Sequence, residues 1–99
     1  MFLNGSTPLE ARVNLLRYIG KEHKRRGSCS LNLSVELPTK LQYDAYEYLC
    51  QQNLVDVQLE RTESSLYGDF KLTPKGEAAY EQIQQRYQQL VEGMAEYLG

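Results

Sequence analysis

Leu54-Val55-Asp56-Val57-Gln58-Leu59-Glu60-Arg61, then Leu66-Tyr67-Gly68-Asp69-Phe70-Lys71-Leu72-Thr73-Pro74-Lys75-Gly76, is the stretch whose reading decides the fold. Val55, Val57 and Leu59 alternate with Asp56, Gln58 and Glu60, and Phe70 and Leu72 continue the same alternation. A period of two with one apolar face is that of a half-buried strand. The polar Thr62-Glu63-Ser64-Ser65 between the two runs predicts a hairpin loop. At its exit Thr73 offers a capping hydroxyl and Pro74 suits a first helical turn, so a helix is expected from there to Leu98.

Working backward from the hairpin, Leu41, Ala45, Tyr48 and Leu49 share one side of a helix expected from Thr39 to near Asn53, with Lys40, Tyr43, Asp44 and Glu47 on the other side. Before it, Leu31, Leu33, Val35 and Leu37 alternate with polar residues. We expect a strand or extended segment over residues 28–37, because Pro38 disfavours the α region at Leu37; a short helical turn is the competing reading. The chain's first helix opens on Thr7-Pro8-Leu9-Glu10, a capping-box spacing with proline at the first helical position. Its apolar residues fall at Leu9, Val13, Leu16 and Ile19, and it should run to Arg26, with Gly27 as a left-handed cap.

Length and composition bound the rest. At 99 residues the chain fits one domain. We place it at residues 1–99, with a core over 8–73 and a C-terminal helix over 74–98. A formal charge of −2 argues against coating nucleic acid by bulk electrostatics. Cys29 and Cys50 are too far apart for a CxxC motif and no histidine cluster joins them, so no metal or cofactor is expected. Two thiols of this kind, no basic n-region at the start and no apolar run of membrane-spanning length point to the cytoplasm and to no membrane partner. No catalytic residue is expected either, since nucleophile–base pairs, paired carboxylates in a cleft and phosphate-cradling glycine loops are all missing.

The order of these elements, the Gln52-Asn53-Leu54-Val55 at the strand entry and the Leu72-Thr73-Pro74-Lys75-Gly76 at the hairpin exit resemble winged-helix transcription regulators of the PadR-like and MarR-like families. The resemblance covers residues 8–98. It implies an α+β winged helix-turn-helix domain with a long C-terminal dimerisation helix. The helix before the hairpin would be the recognition helix and the hairpin the wing. One departure is that those families usually place a regular helix where residues 28–37 read as strand-like.

Function on this footing is a dimeric DNA-binding regulator. Lys40, Gln42 and Tyr43 would enter the major groove of double-stranded DNA, while Arg25, Arg26 and Arg61 would hold phosphates. Lys21, Lys24, Arg25 and Arg26, with His23 among them, form the densest basic cluster. The alternative is a winged-helix module that binds another protein without DNA, an adaptor or a phage or plasmid accessory protein. Asp44 and Glu47 on the presumed recognition helix, and Glu60 and Glu63 beside Arg61, favour it, and Tyr43, Tyr46 and Tyr67 would supply contact area. In the last helix Tyr80, Ile83, Tyr87, Leu90, Met94 and Tyr97 repeat at spacings of three and four, the pattern of a coiled-coil seam. A helix of about 25 residues extends roughly 37 Å, more than a domain this size covers, so a homodimer through these residues is expected.

Overall fold

A computed structural model of the chain describes residues 7–37 and 39–98, and side chains as far as Tyr87. The fold is α+β. In chain order it contains α1 (Pro8–Arg26), β1 (Cys29–Asn32), α2 (Leu33–Glu36), α3 (Lys40–Gln51), β2 (Val55–Arg61), β3 (Leu66–Leu72) and α4 (Pro74–Leu98). The strands form an antiparallel sheet of order β1-β3-β2, with Cys29 opposite Phe70 and Val57 opposite Phe70 on the other side. This order is compatible with a winged-helix topology.

α1 begins where the Thr7 side chain accepts the Glu10 N–H and ends at Gly27, whose φ of 85° is left-handed. Its last carbonyls meet His23, Lys24, Arg25 and Arg26, cations or a histidine at the negative end of the helix dipole. Residues 28–37 divide, so the extended reading holds only for Cys29–Asn32. The Asn32 side chain accepts the Ser34 N–H at 3.1 Å and the Glu36 carboxylate accepts the Asn32 N–H at 2.7 Å. These local bonds turn the chain into one helical turn. Leu31, Leu33 and Leu37 are buried, but Val35 is 67% exposed, which breaks the alternation.

The core lies between the helices and the inner face of the sheet: Ala11, Leu15, Leu16 and Ile19 of α1, Ala45, Tyr46 and Leu49 of α3, and Leu31, Val55, Phe70 and Leu72 of the strands. α4 runs antiparallel to α1, with Tyr80 against Gly20 and Gln84 opposite Arg17. Its start is tied to the α3–β2 connection. Thr73 donates its hydroxyl to the Asn53 carbonyl at 2.6 Å, and Gly76 sits so close to the Leu54 carbonyl that a Cβ would overlap it. Asn53 makes that connection in the left-handed region, at φ 58°. Among the described residues no helix is long and apolar enough to cross a membrane.

Candidate interaction surfaces

Thr39 caps α3. Its side chain accepts the Gln42 N–H at 3.2 Å, and the Gln42 side chain reaches back to accept the Thr39 N–H at 3.4 Å. That reciprocal cap holds Gln42 in the interior at 6% exposure, so it is not presented to a base edge as expected. The buried side of α3 is correspondingly rotated: Tyr46 is buried, its ring meeting Phe70 edge-on at 5.7 Å, and it is not part of a surface patch. Burial pushes the Tyr46 phenol up to about 12.

The exposed side of α3 carries Lys40, Tyr43, Asp44 and Glu47. Lys40 Nζ lies 2.8 Å from Asp44 Oδ2, one helical turn on, and this hydrogen bond and charge push the ammonium pKa up. Tyr43 is 39% exposed and its ring lies 5.3 Å from that of Tyr46. The hairpin tip is closed by Thr62, whose N–H donates to the Ser65 carbonyl at 2.8 Å, and it exposes Glu60, Arg61 and Glu63. The six positions expected at DNA therefore fall on three elements. Lys40, Gln42 and Tyr43 are on α3, Arg61 is on the hairpin, and Arg25 and Arg26 end α1. Of the cations, Lys40 and Arg26 already face carboxylates, Arg26 at 3.4 Å from Glu22.

His23 is not simply a member of the basic face. Its Nδ1 accepts the Leu72 N–H at 3.0 Å, joining α1 to the end of β3. A lone histidine in a basic run gives no sequence signal of that role. Nor does Arg12, whose guanidinium lies 3.8 Å from the Tyr48 ring centroid and bridges α1 to α3.

On α4, Tyr80 is 5% exposed and packs within its own domain, which removes it from the expected dimer seam. Ile83 is half-buried on the same core, while Tyr87 is 48% exposed beneath the Arg17 guanidinium at 3.9 Å. Leu90, Met94 and Tyr97 lie outside the residues whose side chains are described. Near the start of α1, Leu9, Val13, Leu16, Tyr48 and Ile83 are among the walls of an apolar cleft of about 170 Å³.

Both thiols are free, Cys29 buried and Cys50 half-buried, and burial pushes both pKa values up, Cys29 to about 12. Such thiols are poor nucleophiles and poor metal ligands. Among the described residues no group of three or more histidine, cysteine or acidic side chains could hold a metal ion. No protein-family model matches the chain, and no curated protein and no solved structure is significantly similar to it.

Proposed function

We propose that the chain is a winged-helix module that docks another protein on the exposed side of α3 and the adjoining hairpin, and that it pairs with a second copy through α4. The order α1-β1-α2-α3 followed by a hairpin, with β3 central in the sheet, supports the winged-helix reading. Observations on α3 carry the choice of partner. Lys40 is the sole cation of this helix and its charge is answered by Asp44, leaving Glu47 without an ion pair among the described residues, while Gln42 is turned inward. A carboxylate-bearing helix entering a groove would meet phosphates of the same sign. Tyr43 gives that surface an apolar body with a polar tip, as protein interfaces favour.

Pairing through α4 is supported by lengths. α1 extends nine residues before Arg17, about 13 Å, whereas α4 continues fourteen residues past the facing Gln84, about 21 Å. Met94 and Tyr97 of the apolar repeat lie in this overhang, and Leu90 comes just before it.

The second reading is a dimeric DNA-binding regulator, favoured by the element order and by the exposure of both Tyr43 on α3 and Arg61 on the hairpin. Retention of proteins from a nuclease-treated extract by the immobilised chain separates the two. Docking predicts a discrete set of proteins that is lost with Asp44→Lys/Glu47→Lys. Duplex binding that depends on Lys40 and Arg61, with no protein retained, would overturn it.

A further inference from the structure

The sequence crowds four cations into the last turns of α1, and the fold gives them different fates. Lys24 Nζ lies 2.7 Å from Glu81 Oε1 and Arg26 lies against Glu22. Lys21 and Arg25 are exposed, and among the described residues no carboxylate forms an ion pair with either. Arg17, Lys21 and Arg25 recur every four residues, so they form one line along the outer side of α1 with a step of about 6 Å. Arg17 is held rather than neutralised. Its Nε donates to Gln84 Oε1 at 2.9 Å and its guanidinium covers the Tyr87 ring, and neither partner carries charge.

These three cations border an open cleft of about 430 Å³, whose described walls also include Asn14, Tyr18 and Glu22. The Glu22 carboxylate in that wall is the one engaged by Arg26. α3 packs on another flank of α1, where Arg12 covers Tyr48, so the line is remote from the carboxylates of α3. Uncompensated positive charge repeated at a fixed step suits a ligand that repeats its negative charge, and guanidinium forks suit phosphate oxygens in particular.

We propose that the outer side of α1 is a binding site for the phosphodiester backbone of a nucleic acid, with Arg17, Lys21 and Arg25 each facing a phosphate. The site reads no sequence, because its contacts are to backbone alone. It is independent of the surface assigned to protein docking. Three neutralised phosphates on a duplex give a slope of log affinity against log salt of about −2.7, a loss of about 40-fold between 50 and 200 mM salt.

The test is fluorescence anisotropy of a labelled mixed-sequence duplex with the full chain across that salt range, alongside Lys21→Gln/Arg25→Gln and, as a control on the other face, Lys40→Gln/Arg61→Gln. Circular dichroism confirms that each exposed variant is folded. The expected result is binding at low salt with that slope, reduced to a slope near −1 in Lys21→Gln/Arg25→Gln and unchanged in the control. Absence of binding at 50 mM salt, or binding that Lys21→Gln/Arg25→Gln leaves intact, would overturn the proposal. So would displacement of the duplex by inorganic phosphate at matched ionic strength, which would mark a simple anion site. Loss of binding in the control pair would overturn the proposal as well, and would also count against the docking role of α3.

Discussion

The Tyr80 ring packs directly against Gly20, leaving no room for a side chain at that position of α1. This contact sets how closely α4 approaches α1, and Arg17 with Gln84 and Lys24 with Glu81 fix the same pair of helices on either side of it.

Gly20→Ala should therefore be destabilising although alanine is the better helix former, because overpacking of a close contact costs about 1–3 kcal/mol. In a domain of this size that lowers the melting temperature by roughly 4–8 °C per kcal/mol. Gly27 offers the comparison: it has open space around it but a left-handed backbone, so Gly27→Ala costs about 1 kcal/mol through conformation alone. Calorimetry on the two variants checks the order, and a Gly20→Ala protein as stable as the parent would contradict the packing described.

Tyr80 and the overhang of α4 should fail differently. Tyr80→Ala opens the core and is expected to cost about 3–5 kcal/mol of domain stability. Met94→Asp/Tyr97→Asp should leave the domain folded and convert a dimer into a monomer, read by sedimentation equilibrium at micromolar concentration. A parent chain already monomeric under those conditions would remove the pairing helix from the account.

Much of this architecture is legible in the sequence because it is written in local chemistry. Thr7, Pro8 and Gly27 bound α1, the alternation around Val57 and Phe70 gives the hairpin, and Thr73-Pro74 starts α4. The candidate surface is less legible because it depends on which way α3 is rolled. Apolarity places Tyr48 inward and Tyr46 outward, and the structure buries Tyr46 more deeply, since Phe70 offers it an edge-on ring. The inward turn of Gln42 was available as the spacing Thr39-x-x-Gln42, a capping box that a search for base-reading side chains passes over. Pairing of Lys24 with Glu81, and the bond from Leu72 to His23, join residues distant in sequence, and no local pattern encodes them.

His23→Ala would leave the Leu72 N–H without its acceptor at the junction of β3 and α4. The bond is part-buried, so losing it is expected to cost about 1 kcal/mol, toward the lower end for a stranded donor. Urea unfolding of His23→Ala against Lys21→Ala, an exposed neighbour, isolates the effect; equal midpoints would show that the bond contributes nothing.

Stability should fall at alkaline pH. Cys29 is held protonated by burial and by the nearby carboxylates Glu22, Glu36 and Asp69, to about 12 from an ordinary 9.0, and Tyr46 chiefly by burial, to about 12 from 10.0. The unfolded chain sheds these protons first, so the stability they contribute is complete below pH 9 and is lost as pH rises from about 9 toward 12. The slope is up to about 1.4 kcal/mol per pH unit for each group. Urea midpoints under reducing conditions at rising pH measure it, and Cys29→Ala should remove the earlier part of the fall. A midpoint unchanged to pH 11 would contradict the burial of both groups.

The central claim is that the fold separates its charge, with carboxylates on the exposed side of α3 and, on the outer side of α1, cations that no carboxylate among the described residues pairs. Amide chemical-shift mapping of the nitrogen-15-labelled chain during titration with a mixed-sequence duplex at low salt tests it most directly. The account predicts shifts along α1, at Asn14 to Arg25, with Lys40 to Glu47 and Glu60 to Ser65 unmoved. The largest shifts at the start of α3 and at the hairpin tip would contradict it and return the chain to the DNA-reading role.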